Sequence, residues 1–285
     1  MRLNAMFPTR DIGSDPVKIR DWAQAAEALG YGYIEVADHV FGAAARDGWT
    51  PLYNETDAFH ETFTTLAFLA AATRTIQLSS GILILPQRQT GVVAKQAAEV
   101  DLLSGGRLRL GVGVGWNPVE YEALGAEWKT RGARQAEQVE VLRRLWSEDL
   151  VTFSGRFHDL RAVSIVPPPI QRPIPIWFGG SSDAVVKRAA RLGDGWMPIM
   201  APDDQAEAKL AALREHLQAF GRDQATFGIE AWLRMSEPDP QRWAAAAEGW
   251  RRLGADMVML YPMFRTPSLD AQIETLRQFK AVADA

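Results

Sequence analysis

The sequence predicts an α/β fold, a (β/α)8 TIM barrel with one insertion between its fourth and fifth strands. Three observations carry that prediction. Strand-like and helix-like runs alternate through eight units in a chain of 285 residues. Outside the insertion no strand is joined to the next by a hairpin, which reads as a parallel sheet. The glycine-rich segment follows the fourth strand, where a doubly wound dinucleotide fold would place it after the first. The span 1–285 is expected to be one barrel domain with its insertion at about 150–173.

The first strand is expected over Arg2 to Phe7, ending where Pro8, Asp11 and Gly13 supply loop chemistry. In the first helix Asp15 is the cap and Pro16 opens the first turn. Ile19, Trp22, Ala23, Ala26 and Leu29 recur at helical spacing, and Gly30 closes it. A short apolar strand, Tyr33 to Ala37, then ends abruptly in Asp38-His39. The alternation continues with helix Glu61 to Thr73, strand Ile76 to Leu85, helix Val92 to Leu103, strand Leu108 to Val114 and a helix around Ala133 to Trp146. Val151 to Ile165 alternates like a hairpin, and a proline run leads into the strand Ile174 to Phe178. The remaining units are helix Asp183 to Leu192, strand Gly195 to Ile199, helix Asp204 to Phe220, strand Phe227 to Leu233, helix Pro240 to Leu253, strand Met257 to Leu260 and helix Leu269 to Val282.

Composition narrows the chemistry. With 31 basic against 35 acidic residues the chain lacks the basic stripe that a phosphate backbone requires, so nucleic acid is not expected as a partner. The absence of cysteine excludes a disulfide framework and a thiolate nucleophile or metal ligand. His39, His60, His158 and His216 are scattered without metal-ligand spacing, so no metal site is expected. No serine sits in a nucleophile elbow. No apolar run spans a bilayer and no signal-like segment opens the chain, so a cytoplasmic protein without a membrane partner is expected.

In a barrel the active site forms at the carboxyl ends of the strands, which directs attention to three segments. Asp38-His39 pairs a carboxylate with an imidazole that titrates near neutrality, a combination suited to proton exchange or to anchoring a loop. Gly111, Gly113 and Gly115, followed by Trp116, either let a flat ring lie on bare backbone or allow tight packing at the mouth. Gly179, Gly180, Ser181 and Ser182 precede a helix with Asp183 as its outward cap, and their N-H groups and hydroxyls form either a phosphate seat or an ordinary turn. Trp49, Tyr53, Trp116 and Trp196 suggest an apolar or aromatic substrate pocket, and the loop holding Trp49, Tyr53 and Phe59 is either a lid or a packed loop.

Asp38-His39, the run Leu102 to Trp116, and Gln171 to Gly180 stand in this order, and the chain thereby resembles the luciferase-like monooxygenase superfamily, closely over about residues 1–200. Phe153 to His158 and Gly195-Trp196 resemble that family's hairpin and sixth strand. The resemblance implies a barrel that binds the deazaflavin F420, or alternatively FMN, at its mouth. It implies ring contacts from Asp38, His39, Ser80, Gly81, Ile82, Gly113, Gly115 and Asn117, with the phosphate on Gly179 to Ser182. It also implies a non-proline cis peptide at Gly81-Ile82, or one residue earlier. His39 is expected as acid/base with Asp38 setting its orientation, in hydride transfer to or from a small organic substrate. Two other activities belong to the same scaffold: a two-component monooxygenase using reduced FMN and dioxygen, and a non-catalytic flavin or deazaflavin binder. A homodimer is expected, and a flavin or F420 reductase as partner.

Overall fold

A computed structural model describes residues 1–46 and 48–283. Its parallel strands close on themselves. β1 (Arg2–Met6) pairs with β2 (Tyr33–Val36), and β2 with β3 (Gln77–Ser80). β3 and β4 (Leu83–Ile84) are two pieces of the third barrel strand, and both pair with β5 (Leu108–Gly113). The order continues through β8 (Ile176–Gly179), β9 (Gly195–Met197), β10 (Gly228–Met235) and β11 (Met257–Pro262), which returns to β1 with Leu3 opposite Val258. β6 (Val151–Ser154) and β7 (Asp159–Val163) form the antiparallel hairpin of the insertion.

Helices wrap the barrel because their apolar faces match its outer surface. In α1 (Pro16–Ala28) the Asp15 carboxylate accepts the Val17 N-H at 2.9 Å, Ile19, Trp22, Ala23 and Ala26 are buried, and Gly30 turns the chain at φ +78°. Trp22 meets Phe7 edge to face at 5.6 Å. Burying such a side chain contributes about 1.5–3 kcal/mol. α2 (Thr62–Ala72), α3 (Thr90–Ser104), α5 (Arg131–Ser147), α6 (Asp183–Leu192), α7 (Asp204–Ala219), α8 (Pro240–Leu253) and α9 (Leu269–Ala283) follow. The hairpin is tied down by Glu137 on α5, whose carboxylate accepts the N-H groups of Arg156 and Phe157 at 2.9 and 2.7 Å and the His158 ring at 2.8 Å. No helix among the described residues is long and apolar enough to cross a membrane.

Two local features shape the site, the first as expected from the sequence and the second not. The third strand is interrupted at Gly81-Ile82, where the peptide bond is cis. A short helix, α4 (Pro118–Ala123), stands where none was expected, because six residues are too few for a periodic signal. The Asn117 side chain caps it, accepting from the N-H groups of Val119 and Glu120 at 3.0 and 3.3 Å.

Inside the barrel the strands carry a polar layer below an apolar one. Arg109 is buried between the rings of Tyr33 and Trp177, 4.0 and 4.4 Å from their centroids. It donates to Glu35 at 3.2 Å and to Glu230, which also accepts from Asn4. Burial first, and then the Glu230 carboxylate, push the Glu35 carboxyl well above its ordinary range against the pull of Arg109. Met6, Ala37, Trp177, Met197, Trp232 and Met259 pack within the barrel above this layer.

Candidate active site

A cavity of about 130 Å³ opens at the carboxyl ends of the strands. His39, at the end of β2, lines it, and so do Gly81, Ile82, Trp116, Trp232 and Tyr261. The imidazole sits among rings, with centroids at 4.8 Å from Phe59, 5.5 Å from Trp116 and 5.6 Å from Tyr53. Its Nδ1 lies 3.1 Å from Glu120 Oε2 on α4. The other Glu120 oxygen accepts the N-H groups of Val40 and Phe41 at 2.5 and 3.2 Å. Burial would raise the Glu120 carboxyl, but the bonds from His39 and the two N-H groups outweigh it and hold the group below the usual carboxylate range. An ionised carboxylate only accepts, so Nδ1 carries the proton and Nε2 is the nitrogen left for chemistry.

The partner of His39 is therefore Glu120, not Asp38. Asp38 is 4% exposed and its carboxylate is already taken. It accepts from Arg88 Nη2 at 2.7 Å, the Ile84 N-H at 2.8 Å and the Thr62 hydroxyl at 3.1 Å. This ties the end of β2 to β4 and α2, which corrects the orienting role expected from sequence adjacency. Successive residues of an extended chain point to opposite sides, so neighbours in sequence are poorly placed to face each other.

Several further expectations change. Trp196 is fully buried and donates its indole N-H to the Gly180 carbonyl at 2.7 Å, so it is core and not pocket wall. Trp232 stands on the wall instead, 4% exposed, with its indole N-H unpartnered. The alternation Glu230, Trp232, Arg234 at the end of β10 was the available signal for it. Asn117 spends its carbonyl oxygen on capping α4. The Ser80 hydroxyl donates to the Gly111 carbonyl at 2.7 Å and faces β5. At Gly113 and Gly179 an added Cβ would lie 2.3 and 2.6 Å from Ile82 side-chain atoms, so these glycines make room for Ile82 and do not border the cavity. Gly81 and Gly115 do line it.

Trp49 stacks on Trp116 at 6.4 Å, and Tyr53 meets the Tyr261 hydroxyl. Burial, followed by Tyr53, pushes the Tyr261 phenol up, so it stays protonated. In the expected phosphate seat the helix cap is Ser182, not Asp183, which points outward to Lys209. The Gly180 N-H is used by the Met197 carbonyl at 3.1 Å and the Ser181 hydroxyl by Ile199 at 3.1 Å. The segment lies behind Ile199 and does not itself line the cavity.

The residues at the mouth fit a planar heterocycle. Bare backbone at Gly81 and Gly115 allows close approach, the walls are aromatic, and the buried N-H of Trp232 is a donor without an acceptor among the described residues.

The model of luciferase-like monooxygenases matches residues 3–284. An F420-dependent glucose-6-phosphate dehydrogenase of Kineococcus radiotolerans is 31% identical over 84% of this chain and 69% of its own length. An FMNH2-dependent dimethylsulfone monooxygenase of Pseudomonas putida is 30% identical over 80% of this chain and 61% of its own. The structure of an F420-dependent secondary alcohol dehydrogenase superposes with a TM-score of 0.83 at 18% identity, covering 99% of this chain and 98% of that one, which shows the shared fold. From its closed barrel, its hairpin insertion and a family match spanning nearly every residue, the chain belongs to the luciferase-like monooxygenase family.

Proposed function

We propose that this protein is an oxidoreductase that uses F420 for hydride transfer to or from a small organic substrate, with His39 as the acid/base. The observation that carries the reading is His39 at the cavity wall, its Nδ1 proton committed to Glu120 and its Nε2 free to exchange a proton. Relatives that use F420 or FMN make the broader class, a flavin- or deazaflavin-dependent oxidoreductase, the common ground. The bound cofactor would supply or accept the hydride.

The chain's own residues do the rest. Gly81, Ile82 and Gly115 would back the ring, with Trp232 Nε1 as a hydrogen-bond donor beside it. Trp116, Tyr53 and Phe59 keep water from His39, and low local dielectric strengthens its bond to Glu120. A proton moves between Nε2 and the substrate heteroatom while Glu120 holds the ring and offsets its positive charge. We place the cofactor phosphate near Gly179 to Ser182 on the partial positive charge at the start of α6 alone, since the Gly180 N-H and the Ser181 hydroxyl are already bonded within the protein.

The FMN monooxygenase is the second reading, favoured by the dimethylsulfone monooxygenase relative. Titration of the protein with F420 and with FMN, read by quenching of tryptophan fluorescence, separates the two. Tighter F420 binding with substrate turnover under anaerobic conditions supports the first. Turnover that requires dioxygen and reduced FMN selects the second, and tight binding with no turnover of either kind selects a non-catalytic binder.

A further inference from the structure

A second cavity of about 300 Å³ adjoins the first, and the two share a wall of Ile199, Trp232 and Arg234. Arg242, from the first turn of α8, enters the lining of the second cavity, and no carboxylate does. Around the mouth the other cationic side chains are matched. Arg88 is held by Asp38 and Arg10 by Asp57, as Arg109 in the buried layer below is by Glu35 and Glu230. Arg234 and Arg242 are different. Arg234 is exposed, it lies near enough to act on the Tyr261 phenol, and the only hydrogen-bond acceptor its guanidinium meets among the described residues is the Met263 sulfur at 3.9 Å. The nearby Asp239 carboxylate is spent on capping α8, where it accepts the backbone N-H groups of Gln241 and Arg242 at 3.0 and 3.2 Å.

Two solvent-exposed guanidinium groups on one cavity, neither paired with a carboxylate among the described residues, make a place for an anion, since their planar donor forks match carboxylate and phosphate oxygens. The position of the pair adds to this. Arg234 follows Trp232 by two residues on β10, so both side chains leave the same face of the strand, and Trp232 and Arg234 line both cavities. A molecule with its reacting carbon beside His39 and an anionic end two residues further up β10 would span the shared wall.

We propose that the second cavity is an oxyanion subsite of the same site, where Arg234 and Arg242 bind a carboxylate or phosphate on the molecule that reacts beside His39. This rests on the reading of the first cavity as the reaction site. The anion belongs to the substrate if the cofactor phosphate sits near Gly179 to Ser182, and to the cofactor if that placement fails, and the test distinguishes them.

The protein without added cofactor is titrated with inorganic phosphate and with benzoate at constant ionic strength, with Trp232 among the fluorescent reporters. Benzoate joins a ring for the aromatic wall to a carboxylate for the arginines. Saturable binding that Arg234→Met and Arg242→Met each weaken about tenfold is expected, the scale of one charge-assisted hydrogen bond. Arg161→Met, an exposed arginine on the inserted hairpin, serves as the charge control and should bind like the wild type. Affinities for F420, FMN and riboflavin are measured on the same variants. Loss for F420 and FMN with riboflavin unchanged assigns the anion to the cofactor. Loss of benzoate binding with all three unchanged assigns it to the substrate. If phosphate and benzoate binding depends on the two arginines while F420 fails to bind the wild type, the subsite stands and the cofactor assignment falls. Arginine variants that bind phosphate, benzoate and both cofactors as the wild type does overturn the proposal.

Discussion

Glu120 decides which nitrogen of His39 can move a proton, and this makes the pair separable by mutation. His39→Ala removes the acid/base and should lower turnover about 10²- to 10⁴-fold, with a much smaller change in cofactor affinity. Glu120→Gln keeps the shape but can present an amide N-H to Nδ1, which favours the tautomer with the proton on Nε2. Turnover should fall about tenfold or more and the pH profile should shift, with partial recovery in Glu120→Asp. An unchanged pH profile in Glu120→Gln would show the pair to be structural only. A different carboxyl governs stability. Glu35 has a folded pKa raised above its unfolded value, so its contribution to stability is fully present below the unfolded pKa and is lost as pH rises through the folded one. In that window the wild type should lose up to about 1.4 kcal/mol per pH unit that Glu35→Gln does not lose. Denaturant unfolding at several pH values checks this, and parallel slopes for the two proteins would sink it.

At the scale of elements the site depends on α4, a helix of one and a half turns that brings Glu120 to the end of β2. Its cap is a test of what Asn117 does. Asn117→Ala should cost about 1 kcal/mol and disturb the His39 pH profile, because the first turn of α4 loses its side-chain acceptor. Asn117→Asp should restore both, since aspartate caps equally well. A loss of cofactor affinity in Asn117→Asp with stability intact would instead give Asn117 a ligand contact. The sequence was informative where elements are long and periodic. The cap at Asp15, the hairpin, and the ends of β2, β5 and β8 all follow from local spacing and turn chemistry. It was uninformative about Glu120, because nothing in a linear chain shows that a residue after β5 will reach across to a residue after β2. The same limit explains Asp38, read beside His39 but bonded to Arg88, and Trp196, whose strand-end position did not reveal that its indole turns toward Gly180.

For the whole molecule, binding and stability are one equilibrium. A cofactor that binds only the folded barrel stabilises it by RT ln(1 + [L]/Kd), about 2.7 kcal/mol at a hundredfold excess over Kd. For a barrel of this size each kcal/mol corresponds to about 2 °C or slightly less in Tm. F420 at that excess should therefore raise Tm by about 5 °C, and FMN at the same concentration by less. The mouth is assembled from β2, β4, β10, β11 and the loops after them, elements far apart in sequence, so the cofactor can stabilise the folded barrel only when the ring closes. That makes thermal shift a readout of the assembled site and not of any one segment. The His39→Ala variant should keep most of the F420 shift while losing turnover, because it removes a proton-transfer group from a wall that Trp116, Trp232 and Gly81 still form. A larger shift with FMN than with F420 would move the protein to the oxygen-dependent branch of the family. No shift with either, at concentrations where each would saturate a family site, would show that the mouth binds neither and that His39 works on another ligand.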